Sequence, residues 1–259
     1  MGQAIEITAD GRRSNIARDW VPEVPVALEF NGVSYAVMMA TPADLEDFAT
    51  GFAICEGLAA DGAQIIEVAP AEVENGWVVR TMIEGLGAER LQERVRARVA
   101  ESSCGLCGIE NLEALARPLP QVPDHERLES EAIFRALSQL RAHQPLGRAT
   151  GAAHAAAHFT PDGTLNRVRE DVGRHNALDK LIGASARSNS SLAQGFLLST
   201  ARCSYEIVEK AVQAGATALV TVSLPTSMAV HRAQAAGLSL WALARDDSVL
   251  AVAGPALEN

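Results

Sequence analysis

The sequence is poor in the features that mark several large protein classes. Its 259 residues include four cysteines, too few for a disulfide scaffold in a chain of this size. It has no Pro/Gly-periodic or low-complexity tract and no repeat of fixed period, which argues against fibrous, disordered and solenoid proteins. No stretch stays apolar long enough to span a bilayer, and the opening MGQAIEITADGRRSN lacks the apolar core of a signal peptide. We therefore expect a globular, cytoplasmic protein.

Positive charge is also scarce. Lysine and arginine total 22 against 32 aspartates and glutamates, giving a net charge of −10, which argues against a general binder of nucleic acid or of anionic membranes. The deficit lies in the first half: residues 1–130 carry 10 basic and 22 acidic residues, whereas residues 131–259 carry 12 and 10. An anionic ligand is therefore better received by the second half.

The first half is typical of a small mixed α/β unit. The predicted strands are Pro25–Phe30, Val33–Ala40, Ile65–Val68 and Trp77–Met82. Asn31-Gly32 supplies the two positive φ angles that a type I′ turn needs, and a second Asn-Gly pair, Asn75-Gly76, joins the other two strands. Thr41 and Pro42 predict the start of a helix that ends near Gly57. A charged helix is predicted over Ala88–Ala100.

The second half alternates between helices and strands. The predicted elements are, in order, a helix over Glu129–Ala142, strands His154–Phe159 and Leu165–Glu170, a helix from His175, strand Gly195–Ser199, helix Ser204–Ala214, strand Ala218–Ser223, helix Ser227–Ala236, strand Leu238–Ala244 and an end strand near Val249–Val252. Successive βα units predict a partly parallel sheet with helices on its faces. The proline-containing stretch Arg117–Arg127 separates two predicted domains, 1–125 and 126–259.

The strongest local signal is Cys104-Gly105-Leu106-Cys107-Gly108. Two thiols two residues apart suit sulfur chemistry, because one thiolate can attack and its neighbour can resolve the product. A structural zinc site would need two further ligands, and no second CxxC or matching histidine pair exists. A thioredoxin-like redox dithiol and an inert buried pair are two competing interpretations. Cys55 and Cys203 lack such surroundings and are predicted to be ordinary buried thiols.

Two histidines, His154 and His158, share one side of a predicted strand. A metal site is one interpretation of this spacing, and a packing or pocket-lining role is the other. The glutamate of the zinc-protease pattern is missing, since Ala155 follows His154.

Three loops of the second half carry groups that bind anions. In Arg169-Glu170-Asp171-Val172-Gly173-Arg174-His175-Asn176, a strand ends and a helix begins with Arg174 and His175, so cationic donors and free N–H groups meet. A capped helix with solvated charges would explain the same residues. The stretches Ser199–Ser204 and Ser223–Ser227 each follow an apolar strand and open a helix, where ligands bind in open α/β sheets. Capping alone would also explain their hydroxyl groups.

These pieces, in this order, resemble the formate dehydrogenase accessory sulfurtransferases, the FdhD family. The matching segments are PVALEFNG, MMATPADLEDFATGFAICEG, CGLCG, REDVGRHNALDKLIG, STARCSYEIVEKA and VSLPTSMAV, which cover nearly the whole chain. The resemblance implies an α/β fold with a cytidine-deaminase-like C-terminal domain and a smaller mixed α+β N-terminal domain. It implies no deamination, because the deaminase zinc signature is absent.

The resemblance also implies a function. Family members take sulfur from a cysteine desulfurase as a persulfide on the CxxC loop and pass it to the bis-molybdopterin guanine dinucleotide form of the molybdenum cofactor, which formate dehydrogenase requires. They are homodimers that bind guanine nucleotide. We expect Cys104 to carry the persulfide and Cys107 to assist. We expect Arg174, His175, Arg202 and Ser227 to contact pyrophosphate and guanine.

One stretch departs from the family pattern. In the family, the final strand usually continues into an aromatic and basic stretch that is thought to contact the cofactor. The residues at the matching positions here are Leu243, Ala244, Arg245, Asp246, Asp247 and Ser248. Only Arg245 keeps the basic character, and two aspartates would repel a polyanion, so their side chains should point away or the contact should be altered. Cys203 replaces a small non-thiol residue without a functional explanation. The rival functions are a dithiol oxidoreductase and a chaperone that holds the cofactor without transferring sulfur.

Overall fold

The structure, a computed structural model, describes residues 2–87, 89, 91–92, 94 and 118–257. Within these ranges the strands form three sheets, of two, four and six strands. Six α-helices accompany them there, so the fold is mixed α/β as the sequence predicts. None of the helices in the described ranges is both long and apolar enough to cross a membrane.

The first half contains an antiparallel pair of strands and a four-stranded sheet with one helix. Its elements are β1 (Gly2–Ile7), β2 (Arg13–Arg18), β3 (Val24–Phe30), β4 (Val33–Ala40), α1 (Leu45–Cys55), β5 (Ile65–Val73) and β6 (Gly76–Ile83). The four-stranded sheet has the order β4-β3-β6-β5. Asn31 and Gly32 have φ angles of 46° and 79°, which confirms the predicted tight turn between β3 and β4.

The second half is a six-stranded sheet with helices. Its elements are α2 (Ser130–Leu140), α3 (Pro145–Thr150), β7 (His154–Phe159), β8 (Leu165–Asp171), α4 (Arg174–Arg187), β9 (Phe196–Ser199), α5 (Tyr205–Gln213), β10 (Ala218–Thr221), α6 (Ser227–Ala236), β11 (Ser239–Ala242) and β12 (Leu250–Ala253). The strand order is β12-β11-β10-β9-β7-β8. Strands β9, β10 and β11 are parallel, which confirms the partly parallel sheet.

Several elements were misplaced or missed by the predictions from the sequence. Helix α1 begins at Leu45 and not at Pro42, because Thr41 contacts the second half: its backbone N–H donates to Asp171, and its carbonyl accepts from Lys180. The β1–β2 pair and α3 were not predicted. The predicted helix over Ala88–Ala100 falls largely outside the described residues.

The two halves meet where α1 packs against α4. A Cβ atom on Gly51 would lie 1.8 Å from the Asp179 carbonyl oxygen, and one on Gly183 would lie 1.9 Å from the Asp47 carbonyl oxygen. Only glycine at both positions permits this approach. A single buried apolar cluster includes residues from both halves. The domain boundary between residues 125 and 126 stays a prediction.

Candidate functional site

Four loops of the second half lie along one edge of the six-stranded sheet. Strand β7 is antiparallel to both β8 and β9, so β8 runs in the same direction as β9, β10 and β11. The carboxyl ends of these four strands therefore lie at the same edge, where open α/β sheets bind ligands. We call the loops that follow them, together with the adjoining helix starts, the carboxyl edge. It contains every residue that the sequence assigned to cofactor binding.

The loop after β8 is held by a buried carboxylate. Asp171 is fully buried, and its Oδ1 accepts from the Gly173 N–H at 2.7 Å and from Asn176 Nδ2 at 3.0 Å. Its Oδ2 lies 2.6 Å from Lys180 Nζ and accepts from the Thr41 N–H at 3.0 Å. Several donors thus converge on one carboxylate just before α4 begins.

Arg174 and His175 are the first two residues of α4. Both are partly buried, and Arg174 Nε is buried without a hydrogen-bond partner in the described chain. His175 Nε2 lies 3.1 Å from Glu206 Oε2. The contact with His175 lowers the pKa of the Glu206 carboxyl. Arg174 forms no ion pair with any carboxylate in the described ranges, so its charge is available to a ligand.

The loop after β9 places Arg202 at the carboxyl edge as well. Thr200 ties this loop to the start of β7, because its N–H donates to the Ala155 carbonyl at 3.0 Å and its Oγ1 accepts from the Ala155 N–H at 2.8 Å. Arg202 is exposed and likewise has no carboxylate partner among the residues described. The pKa of His154, at the start of β7, lies below its usual value, because the ring is partly buried and because Arg174, Arg202 and His175 oppose a further positive charge. These four side chains therefore share one electrostatic environment.

The loop after β10 adds hydroxyl groups and a helix start. Thr226 Oγ1 caps α6 by accepting from the Ala229 N–H at 3.2 Å, and Ser227 is exposed at the first helical position. The Thr226 N–H donates to the Cys203 carbonyl at 3.0 Å, which joins this loop to the one that carries Arg202. Capping accounts for Thr226, whereas the Ser227 hydroxyl makes no hydrogen bond with the described part of the chain.

The divergent stretch Leu243–Ser248 borders the loop after β10. The Leu243 N–H donates to the Ser223 carbonyl at 3.3 Å, and Leu243 has a left-handed φ of 49°. The Arg245 guanidinium donates to the backbone carbonyls of Val222 and Ala244, so carbonyl oxygens already occupy part of it. The acidic residues of this stretch, Asp246 and Asp247, are exposed together with Ser248.

Of the four cysteines, the structure describes Cys55 and Cys203, and neither is reactive. Cys104 and Cys107 lie outside the described residues. Cys203 is fully buried, and burial raises its thiol pKa to about 11. Burial also raises the pKa of Cys55. At neutral pH both of these thiols are protonated and therefore poor nucleophiles.

The described residues that follow the CxxC in the sequence contact the other edge of the sheet. The Val122 N–H donates to the Ala236 carbonyl at 2.9 Å, and His125 Nε2 lies 2.8 Å from Ser239 Oγ. Ser239 is the first residue of β11, so this contact is at the amino end of the parallel strands. The described residues that follow the CxxC are thus opposite the carboxyl edge.

The two histidines of β7 have different surroundings. His158 is 2% exposed, its Nε2 lies 2.7 Å from the Gln194 carbonyl and its Nδ1 lies 3.1 Å from Asn166 Nδ2. His154 is partly exposed at the carboxyl edge. Both nitrogens of His158 are occupied, and the described residues contain no cluster of three or more groups arranged to hold a metal. His154 was absent from the predicted binding residues, although its position at the start of a strand was a usable signal.

Charged residues in and after the segment Arg169–Asn176 serve the contact between the halves. Arg169 donates to Asp47 Oδ2 through both Nε and Nη2, at 2.9 and 2.8 Å, and Arg187 donates to Asp47 Oδ1 at 2.7 Å. Lys180 Nζ is paired with Asp171 and donates to the Thr41 carbonyl at 2.9 Å. The motif read in the sequence as one anion site thus divides between this contact and the carboxyl edge.

Known proteins resemble this chain in sequence and in structure. A family model described as "FdhD/NarQ family" matches residues 21–256. A protein of Variovorax paradoxus (strain S110) named "Sulfur carrier protein FdhD" is 44% identical over 239 residues, covering 92% of this chain and 86% of that protein. A protein of the same name from Xanthomonas campestris pv. campestris (strain B100) is 44% identical over 246 residues, covering 95% and 88%.

A solved structure shares the fold. The crystal structure of a candidate formate dehydrogenase accessory protein from Desulfotalea psychrophila superposes with a TM-score of 0.76, and the match covers 98% of this chain and 96% of that chain. The two sequences are 23% identical, so the likeness concerns the fold alone.

Proposed function

We propose a function from one premise: the chain belongs to the FdhD/NarQ family, whose model matches residues 21–256. On that premise the protein is a sulfur carrier that serves formate dehydrogenase. The names of relatives that are 44% identical over more than nine-tenths of the chain support this proposal.

The sulfur-carrying group that we propose is the CxxC pair. Cys104 receives sulfur as a persulfide from a cysteine desulfurase, and Cys107 assists its release or protects it. The raised thiol pKa values of Cys203 and Cys55 support this choice, because neither residue offers a thiolate at neutral pH. Glycines beside both members of the pair allow close approach to a partner protein.

The substrate that accepts the sulfur is, in this proposal, the molybdenum cofactor in its bis-molybdopterin guanine dinucleotide form. The observation that carries this step is that Arg174 and Arg202 lie at the carboxyl edge and form no ion pair within the described ranges. Two diphosphate groups are the most strongly charged parts of such a molecule, and cationic side chains beside a helix N-terminus suit them. His175 and Ser227 would contribute further contacts, and a guanine nucleotide would act as a mimic.

The stretch Leu243–Ser248 should make a weaker contact than the rest of the edge. Arg245 already donates to two carbonyl groups, and the exposed Asp246 and Asp247 would oppose a polyanion. We further propose that the second half has the cytidine-deaminase-like form of an α/β domain, and that the protein is a cytoplasmic homodimer.

Sulfur transfer can be followed directly. The protein is incubated with a cysteine desulfurase and labelled cysteine, and sulfane sulfur is mapped by mass spectrometry in the wild type and in Cys104→Ala, Cys107→Ala and Cys203→Ala variants. We expect the label on Cys104, its loss in Cys104→Ala, and no effect of Cys203→Ala. If neither Cys104 nor Cys107 is labelled while the desulfurase turns over, the sulfur-carrier proposal fails.

Two other outcomes would support the rival functions. A Cys104→Ala variant that still activates formate dehydrogenase would favour a chaperone that holds the cofactor. Oxidation and reduction of the pair coupled to a substrate disulfide would favour a dithiol oxidoreductase.

A further inference from the structure

One side chain at the carboxyl edge has no role in the function proposed above. His154 is the first residue of β7 and pairs with Asp171 of β8, which places it beside the start of α4. Its ring is partly exposed, and neither ring nitrogen has a hydrogen-bond partner in the described chain. A ligand at this edge would therefore find both nitrogens available.

The charges around His154 come from three elements. Arg174 and His175 belong to α4, and Arg202 belongs to the loop after β9; all three oppose protonation of the ring. Asp171 on β8 favours protonation, but it is already occupied by Lys180. Partial burial is the largest cause of the lowered pKa of His154, and the neighbouring Arg174, Arg202 and His175 lower that pKa further. The ring is thus neutral at pH 7 while the edge is empty.

His158, four residues further along the same strand, provides the contrast. Burial also lowers its pKa, but its nitrogens lie 2.7 Å from the Gln194 carbonyl and 3.1 Å from the Asn166 amide. These partners of His158 are groups of the protein itself, so a ligand bound at the carboxyl edge would not alter them. Arg167 also opposes protonation of His158, but its guanidinium donates to the Ala184 carbonyl, whereas Arg174 and Arg202, which act on His154, are the residues that would bind the ligand.

We propose that His154 is a further binding residue of the carboxyl edge and that it takes up a proton when a diphosphate group binds there. This inference rests on the proposed function, which assigns a diphosphate-bearing substrate to the edge. The cost of burial remains, but the bound anion offsets the charges of Arg174 and Arg202, and attraction to the phosphate oxygens replaces their repulsion of a charged imidazole. Protonated, the ring donates from both nitrogens.

Proton uptake links affinity to pH. The bound state holds one more proton than the free state, so the dissociation constant should increase as pH rises between the free and the bound pKa of His154. For one linked proton the increase reaches about tenfold per pH unit in that window. Once the terminal phosphate, whose second pKa is about 6, is fully ionised, binding that relied on the arginines alone would not change with pH, because they stay charged.

Titration calorimetry with guanosine 5′-diphosphate as the probe tests the inference. Binding is measured at pH 7.5, where the phosphates are ionised, in two phosphate-free buffers of different ionisation enthalpy, for the wild type, His154→Gln and His158→Gln. We expect net proton uptake in the wild type, its loss in His154→Gln and its retention in the His158→Gln control. Guanosine, which lacks phosphate, should cause no uptake.

The possible results separate this inference from the proposed function. Binding of the diphosphate without proton uptake, or with equal uptake in His154→Gln, would overturn the role of His154 and leave the site in place. An absence of binding would overturn both the site and the inference. If His154→Gln does not fold, the NMR titration of the His154 ring in the wild type decides: its pKa should rise when the diphosphate is added, and an unchanged pKa would overturn the inference.

Discussion

The second half of the chain carries two sets of cations that differ in what neutralises them. Where α4 meets the first half, Arg169, Lys180 and Arg187 are all paired with aspartates. At the carboxyl edge, Arg174 and Arg202 have no carboxylate partner in the described ranges. The first set holds the two halves of the protein together, and the second set leaves positive charge for an anion. Residues of both sets lie within a few positions of each other in the sequence.

The largest expected effect concerns the buried pair. Lys180→Met would leave the Asp171 carboxylate buried without its cation, which should lower the free energy of unfolding by about 3–5 kcal/mol. Arg187→Met is the matched control. It should cost about 1 kcal/mol or less, because Arg187 is 42% exposed and Asp47 keeps its contact with Arg169. Urea denaturation measures the free energy of unfolding of both variants. Equal decreases would show that the buried pair contributes no more to stability than the exposed one.

The second effect concerns the unpaired cations. Arg174→Gln and Arg202→Gln should each weaken the binding of guanosine 5′-diphosphate by about tenfold or more, since each removes a charge-assisted contact. Neither should change the free energy of unfolding by more than about 0.5 kcal/mol. Titration calorimetry and urea denaturation on the same samples check this pair of results, with Arg187→Gln as the control. If the variants lower the free energy of unfolding but leave nucleotide affinity unchanged, Arg174 and Arg202 belong with the cations that hold the two halves together.

A smaller effect concerns the divergent stretch. The double variant Asp246→Asn/Asp247→Asn should tighten the binding of the same nucleotide by about twofold to threefold, because two exposed repulsive charges are removed. The gain should shrink as salt is added, since salt screens exposed charges. An unchanged affinity at low salt would show that these side chains point away from the ligand.

The smallest effect concerns Glu206. Its pKa is lowered in the folded protein, so its contribution to stability is present above its usual pKa of 4.5 and is lost as the pH falls through the folded value. Glu206→Gln should therefore cost about 0.2–1 kcal/mol at pH 5.5, and the difference from the wild type should shrink towards pH 3.5. Denaturation at both pH values measures it. If the difference in the free energy of unfolding is the same at both pH values, the charge of Glu206 is not what stabilises the protein.

Local signals were enough for much of the fold. The turn at Asn31-Gly32 and the alternating elements after residue 190 are confirmed within a few residues, because each depends on short-range patterning. The start of α1 was wrong, because Thr41 is held by Asp171, which is 130 residues away in the sequence. The β1–β2 pair was missed although Asp10-Gly11 is a usable turn signal, with Gly11 at a φ of 83°.

The sequence predicted that the candidate residues share one edge of the sheet, but it did not predict which of the charged residues form ion pairs. Parallel strands bring their carboxyl ends together, so the convergence of Arg174, Arg202 and Ser227 followed from the βα pattern. The sequence did not predict that Arg169 of the REDVGRHN segment would pair with the first half while Arg174 would not. That difference depends on which side chains lie next to a carboxylate of the first half. His154 was considered as a metal ligand or a packing or pocket-lining residue but was not placed among the cofactor-binding residues, because the charges near it come from other elements.

The most direct test of the central claim is a crystal structure of the protein with guanosine 5′-diphosphate bound. Density for the diphosphate between Arg174 and Arg202, with the guanine beside the loops after β9 and β10, is the predicted result. Nucleotide density at any other place, with both arginines still unoccupied, would contradict the account.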